Sequence, residues 1–89
     1  MIINKVNLDE DFMVYPNPVK EDLNILVPAS KDMMIVEIFD LQGIKVRAFM
    51  RDHYHKILSV DVSSLTTGVY IVRVRNEEKQ IGVVSIIKE

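Results

Sequence analysis

Residues 34–49 read MIVEIFDLQGIKVRAF, and this stretch decides the fold because it holds two strands and the turn between them. Its first half alternates apolar side chains on one face with mixed side chains on the other, which is the period of a β-strand. Asp40 can accept a hydrogen bond from the backbone two residues on, and Gly43 supplies a positive φ, so a tight hairpin turn is predicted. The strand after the turn is predicted to carry Ile44, Val46 and Ala48 on one face and Lys45, Arg47 and Phe49 on the other.

Short alternating strands of the same kind continue on both sides of this hairpin, and no amphipathic helix pattern interrupts them. Strands are predicted at residues 12–15, 23–27, 34–39, 44–49, 58–62, 69–75 and 80–88. Seven strands with a turn signal about every 8–12 residues are typical of a two-sheet antiparallel sandwich. We therefore expect a single all-β domain.

The composition excludes several classes of function. The chain has 89 residues, a formal net charge of −2 and no cysteine. The negative net charge argues against non-specific nucleic-acid binding, which needs a basic face. The apolar runs are shorter than the roughly 20 residues that span a bilayer, and no thiolate is present for a disulfide or a metal. The N-terminus has no signal-peptide pattern, so we expect either a cytosolic protein or a piece of a larger exported precursor.

Residues 1–11 precede the first predicted strand of the sandwich and end in the acidic run Asp9-Glu10-Asp11. This run lacks the spaced oxygen ligands and the turn glycine of a calcium-binding loop. We therefore expect a flexible acidic flank at residues 1–11, followed by a folded domain over residues 12–89.

Few residues are candidates for catalysis or metal binding. His53 and His55 would project from one face of a strand, with Asp52 as the nearest third ligand, but a tight zinc site needs three or four ligands. The serines have no base beside them in sequence and no nucleophile-elbow motif. We expect a solvated loop at residues 53–55, no metal or other cofactor, and no enzymatic activity.

The segment after Tyr15 is restricted by two prolines. Pro16 and Pro18 lack a backbone N–H, so this segment is confined to the margin of a sheet. Asn17 is held extended by the proline that follows it. The prolines are therefore predicted to set where the folded domain begins.

The stretch from Leu65 to Tyr70 predicts a closed corner. Leu65 is expected to plug the end of the sandwich, and Gly68 to reverse the chain where a Cβ would clash. Tyr70 is expected to bury its ring and bond a loop backbone group, as in the tyrosine corner of immunoglobulin-like sandwiches.

Two surfaces are candidate contact sites. Arg73, Arg75 and Lys79 are predicted to form a basic stripe on a solvated sheet face. Exposed sheet edges can add a strand from a partner, and the same edges offer a route to dimerisation.

From residue 15 to residue 88 the chain resembles the type A C-terminal sorting domain of the type IX secretion system in Bacteroidota. The matching motif positions are Tyr15, Pro16, Asn17, Pro18, Asp40, Gly43, Leu65, Gly68, Tyr70, Ile86, Ile87 and Lys88. They agree with the family in order and spacing. One departure is that many members carry a lysine or arginine shortly before the terminal hydrophobic pair, where this chain has Val84 and Ser85.

The resemblance implies a seven-stranded, immunoglobulin-like β-sandwich that is a signal and not an enzyme. Such domains direct a larger cargo protein, exported first to the periplasm, through the outer-membrane translocon with its shuttle proteins. The cargo reaches the cell surface or the medium. A sortase-like cysteine protease commonly cleaves these domains near their N-terminal boundary, where this chain has its acidic flank.

The alternative function is a non-catalytic carbohydrate- or protein-binding module built on the same sandwich. Carbohydrate-binding modules usually display aromatic platforms, whereas this chain has no Trp and three Tyr. The sequence therefore favours the sorting signal.

Overall fold

A computed structural model describes residues 5–7, 12–27, 33–52 and 56–89, and for residues 5–7 it describes the backbone alone. The strands are β1 (Lys5–Asn7), β2 (Met13–Tyr15), β3 (Asp22–Leu26), β4 (Met34–Phe39), β5 (Lys45–Arg51), β6 (Ile57–Asp61), β7 (Gly68–Arg75) and β8 (Gln80–Lys88). The part of the chain that the structure describes contains no helix that could cross a membrane.

The strands form two antiparallel sheets whose inner faces share one core. The larger sheet has the order β1-β8-β7-β4-β5, and the smaller sheet has the order β2-β3-β6. The predicted seven-stranded, immunoglobulin-like β-sandwich is confirmed by β2 to β8, and each of these strands lies within two residues of its predicted bounds.

The structure adds one strand, β1, within residues 1–11. This strand pairs with the first half of β8, where Lys5 is opposite Val84 and Asn7 is opposite Gly82. The acidic run Asp9–Asp11 lies outside the described residues, so the flexible flank stays a prediction. Residues 29–32, whose polar sequence Ala-Ser-Lys-Asp predicts a turn between β3 and β4, lie outside them as well.

The core between the sheets is apolar. It is formed by Phe12, Val19, Leu23, Ile25, Val27, Met34, Val36, Ile38, Leu58, Val60, Val62, Leu65, Tyr70, Val72, Val74, Ile81, Val84 and Ile86. Burial alternates residue by residue along β3 and β6, as expected for sheets with one face turned to the core. The hydrophobic effect on this inner face therefore fixes the register of the strands.

Gly82 in β8 allows the ring of Phe12 to enter the core. A Cβ at residue 82 would lie 2.4 Å from the nearest carbon of that ring. Phe12 is among the largest fully buried side chains. The close approach of ring and backbone therefore requires glycine, a role that sequence reasoning did not assign to Gly82.

The predicted faces of β5 are wrong. Pairing of β5 with β4 skips Val46, and this β-bulge changes the alternation of side chains along the strand. Phe49 lies opposite buried Val36 and packs against the core together with Val46. Ile44 and Ala48, which were expected beside Val46, are exposed.

Candidate functional site

The side chain of Asn17 closes the outer edge of β8 near its C-terminal end. Asn17 Nδ2 donates to the Ser85 carbonyl at 3.1 Å, and the Ile87 N–H donates to Asn17 Oδ1 at 2.8 Å. One side-chain amide therefore supplies the donor and the acceptor that a neighbouring strand would supply. The flanking Pro16 and Pro18 are exposed, and the peptide bond before each of them is cis.

Val19 continues this edge with its backbone. The Val19 N–H donates to the Ile87 carbonyl, and the Glu89 N–H donates to the Val19 carbonyl, both at 2.8 Å. The pairing forms a parallel bridge to Lys88, and the Val19 side chain is fully buried. After β2 the chain thus leaves the three-stranded sheet, closes the edge of the five-stranded sheet and returns as β3.

The start of β7 lies on the other side of the same strand end, where Gly68 pairs with Lys88. As predicted, Tyr70 is buried and its hydroxyl donates to the Thr66 carbonyl at 2.7 Å, and Leu65 is buried beside the loop. The clash predicted for a Cβ at Gly68 is absent, because that Cβ would meet the Tyr70 ring at 3.9 Å, an ordinary van der Waals contact. The position favours glycine through its φ of 159° instead.

The turn between β4 and β5 lies at the same end of the five-stranded sheet, because Phe39 at the end of β4 pairs with Ile71 near the start of β7. Asp40 Oδ1 accepts two backbone N–H bonds within the turn, at 2.9 and 3.0 Å. Gly43 has a φ of 85°, a conformation that favours glycine. The predicted tight turn is confirmed: Asp40 stabilises it by hydrogen bonds, and Gly43 adopts the backbone conformation that it requires.

The motif positions therefore meet at one end of the sandwich. We call residues 15–19, 65–70 and 85–89 the C-terminal corner, because all three segments surround the end of β8. Asn17 contacts residues that are 68 and 70 positions away in sequence, and sequence reasoning did not predict these contacts.

The terminal motif residues have different environments. Ile86 is buried in the core, whereas the side chain of Ile87 is on the surface and the residue is 48% exposed. Lys88 is only 5% exposed, and its ammonium group donates to the Glu89 carbonyl at 2.6 Å. Of these three side chains, that of Ile87 is the one that a partner can reach.

An open cleft of about 440 Å³ lies beside the corner. It is lined by Pro16, Pro18, Lys20, Glu21, Asp22 and Glu89. No group of three histidine, cysteine or acidic side chains with the geometry of a metal site is present in the described ranges. His53 and His55 lie outside the described residues, so the expected solvated loop there stays a prediction.

A second polar site lies on the outer face of the five-stranded sheet. Although this face is turned away from the core, Glu37 is only 1% exposed. Lys45 Nζ lies 2.7 Å from Glu37 Oε2, and Arg73 Nη2 and Arg75 Nε lie 2.8 and 2.9 Å from Oε1. The two arginines of the predicted basic stripe therefore bind a buried carboxylate, which sequence reasoning missed.

The cations hold Glu37 ionised. Burial alone would raise the pKa of Glu37, but hydrogen bonds from Arg75, Lys45 and Arg73 outweigh it and lower the pKa to about 2. We call Glu37, Lys45, Arg73 and Arg75 the Glu37 cluster. It connects three neighbouring strands, β5, β4 and β7.

Comparison with known families agrees with the motif resemblance. The model of the family described as the secretion system C-terminal sorting domain matches residues 13–89, and the chain therefore belongs to this family. No curated protein matches the chain.

Membership defines the function. The domain is a sorting signal of type IX secretion that directs a cargo protein. The protein that carries it is secreted through the cell envelope and interacts with the type IX system. Domains of this family are in general non-catalytic.

Proposed function

We propose that the C-terminal corner is the surface by which the outer-membrane translocon of the type IX system recognises this domain. The observation that supports the proposal is the pair of hydrogen bonds between the Asn17 amide and β8. These bonds join motif segments from both ends of the domain into one surface. That surface exposes Pro16, Pro18 and Ile87 beside the open cleft, so it offers apolar groups at a fixed spacing.

The proposal assigns the domain no catalytic activity of its own. The domain directs a larger cargo from the periplasm through the translocon, with the help of shuttle proteins. A sortase-like cysteine protease then cleaves within residues 1–11, and the cargo remains on the cell surface or enters the medium. Residues 12–89 act as the folded signal and residues 1–11 as the linker, although residues 5–7 of that linker pair with β8 as strand β1.

A reporter fusion tests the sorting function. The domain is fused behind a signal peptide and a reporter protein and expressed in a bacterium that has the type IX machinery. We expect the reporter outside the cell with the wild-type domain. A reporter that stays in the periplasm would overturn the sorting function for this chain.

Two matched asparagine variants test the corner within the same fusion. Asn17→Ala removes the amide that closes β8, whereas Asn24→Ala removes an amide that accepts the Ser59 hydroxyl at 3.1 Å on the three-stranded sheet. We expect Asn17→Ala to lower export about tenfold, corresponding to about 1.4 kcal/mol of recognition energy, and Asn24→Ala to export normally. Equal export of both folded variants would contradict the role of the corner.

Two matched isoleucine variants test direct contact. Ile87 is 48% exposed at the corner, and Ile57 is 51% exposed on β6, so both can be changed to serine with a similar effect on the surface. We expect Ile87→Ser to impair export and Ile57→Ser to have no effect.

Removal of residues 86–89 should block export completely. Unchanged surface display of that truncation would exclude recognition of the strand end.

A further inference from the structure

The Glu37 cluster holds more positive charge than its carboxylate needs. In the described part of the chain, Lys45, Arg73 and Arg75 contribute three cations against the single carboxylate of Glu37, which is two positive charges more than that carboxylate neutralises. Among the described residues, Glu37 is the only acid within 4 Å of these cations. One cation is enough to neutralise one buried carboxylate. Neutralisation of Glu37 therefore does not explain the other two cations of the cluster.

The cations also keep donors that point away from Glu37. Arg75 uses Nε for Glu37, and Arg73 uses Nε and Nη2. The remaining Nη groups have no acceptor among the described residues. The side chains of Lys45, Arg73 and Arg75 are 48%, 37% and 38% exposed. They are therefore partly buried, fixed at one end by Glu37 and accessible at the other.

Apolar side chains surround these charges on the outer face. Arg73 lies over the Phe39 ring, with its guanidinium carbon 5.2 Å from the ring centroid. The register places Val83 opposite Arg73, and Ile35 opposite Arg75. Phe39, Ile35 and Val83 are all partly exposed. An incoming group would therefore meet two fixed positive charges within an apolar rim.

We propose that the Glu37 cluster is a docking site for a protein partner that presents a carboxylate side chain within an apolar segment. The occupant follows from charge complementarity: a carboxylate accepts paired N–H donors from a guanidinium, and the apolar rim excludes water from that bond. Glu37 acts as a positioning residue, because it holds the arginines in place before the partner arrives.

A protein partner fits this surface better than nucleic acid does. The chain as a whole is negative, with a net charge of −2, so it repels a polyanion at long range. The three cations of the site, Lys45 on β5 and Arg73 and Arg75 on β7, converge on one carboxylate and do not form an extended basic surface. The site is independent of the C-terminal corner and is additional to the proposed function.

A peptide titration of the intact 89-residue chain tests the proposal. The probe is an acetylated, amidated pentapeptide of alternating valine and glutamate, and its control replaces both glutamates by glutamine. We expect saturable shifts of the Arg73 and Arg75 Nε–H signals in ¹⁵N NMR spectra, with binding about tenfold weaker for the glutamine peptide. Equal binding of both peptides, or no shift at millimolar peptide, would overturn the proposal.

Variants of single arginines locate the site. Arg75→Gln removes one cation but leaves Glu37 paired with Lys45 and Arg73, so the domain should still fold. Arg51→Gln is the matched control, because Arg51 is an exposed arginine that lies over Phe49 and outside the cluster. We expect Arg75→Gln to weaken peptide binding about tenfold, and Arg51→Gln to leave it unchanged. If both changes weaken peptide binding equally, the peptide is attracted by the overall charge of the chain, and the assignment of the site to the Glu37 cluster is overturned.

Two further measurements separate this proposal from its alternatives. The first is a titration with inorganic phosphate, observed through the same arginine signals. If phosphate shifts these signals at a lower concentration than the glutamate peptide does, the site is a simple anion site and the choice of a protein partner is overturned. Asn17→Ala should bind the glutamate peptide like the wild type, because Asn17 lies in the C-terminal corner. Loss of binding in that variant would contradict the independence of the two sites.

Discussion

The C-terminal corner and the Glu37 cluster lie on the same five-stranded sheet, but different forces hold them. The corner is closed by neutral groups: the Asn17 amide, the Val19 backbone and the Tyr70 hydroxyl. The cluster is closed by one carboxylate and three cations. A change of pH or salt therefore acts directly on the cluster but not on these neutral contacts of the corner.

This difference bears on how each region can be used. Hydrogen bonds between neutral groups keep the same geometry over a wide range of pH, which suits a motif that defines the shape of a signal. Charges with spare donors respond to a partner of opposite sign, which suits a docking site. The two regions therefore differ in what they respond to: the cluster to pH and charge, and the corner to the loss of a neutral hydrogen-bonding group.

The largest expected effect comes from the titration of Glu37. Its pKa is about 2 in the folded domain, below the ordinary glutamate value of 4.5, so its stabilising contribution is present above about pH 4.5 and disappears as the pH falls toward 2. The contribution is about 3 kcal/mol at neutral pH. We expect Glu37→Gln to be less stable than wild type by about this amount at pH 7, and the two proteins to converge near pH 2.

Urea unfolding at pH 7, 5 and 3 measures this effect as the difference between the two proteins. The difference removes contributions from other carboxyl groups, which titrate in both. A difference that stays constant from pH 7 to pH 3 would show that the cations do not hold Glu37 ionised.

The next effect concerns β8 itself. Gly82→Ala places a Cβ 2.4 Å from the Phe12 ring, so the ring must move. We expect Gly82→Ala to lower the free energy of unfolding by about 2 kcal/mol. This loss should be the same at pH 7 and at pH 3, because no ionisable group is involved. The double variant Gly82→Ala with Phe12→Leu provides the control, because a smaller side chain makes room for the methyl group. Additive losses in the double variant would contradict the steric explanation.

Strands β2 to β8 were predictable because alternation is a local property of the sequence, whereas β1 was not predicted. The turn at Asp40 and Gly43 was predictable for the same reason, as was the hydrogen bond of Tyr70 to its loop. The bulge at Val46 was not predictable, because a skipped residue shows only in the pairing with β4. That single residue reversed the predicted faces of the side chains that follow it on β5, such as Ala48 and Phe49.

The two polar regions required tertiary contacts that no local pattern encodes. Asn17 and Ile87 are 70 positions apart, and Glu37 and Arg75 are 38 apart. The sequence places Glu37 and the arginines on strands, but only the register between β4 and β7 brings them together. Gly82 was overlooked for the same reason, since its necessity depends on the position of Phe12.

A smaller effect is expected from the amide that closes the corner. Asn17→Ala leaves the Ile87 N–H and the Ser85 carbonyl without their partner, and water replaces it in part, so we expect a loss of about 1–2 kcal/mol. Hydrogen exchange measures the local effect: the Ile87 amide should exchange faster, and the amides of β4 should not change. Uniform acceleration across both strands would instead indicate global destabilisation.

The smallest effect is expected from the Tyr70 hydroxyl. Tyr70→Phe keeps the buried ring and removes the bond to the Thr66 carbonyl, so we expect a loss of about 1 kcal/mol. Tyr15→Phe is the matched control, since Tyr15 is 38% exposed and should change stability by less than about 0.5 kcal/mol. Export of the reporter fusion decides what the hydroxyl does beyond stability. If the loop at residues 65–70 shapes the recognised surface, Tyr70→Phe lowers export more than Gly82→Ala does, although Gly82→Ala costs more stability. If export instead follows the free energy of unfolding across the variants, the machinery recognises any folded sandwich and the corner has no separate role.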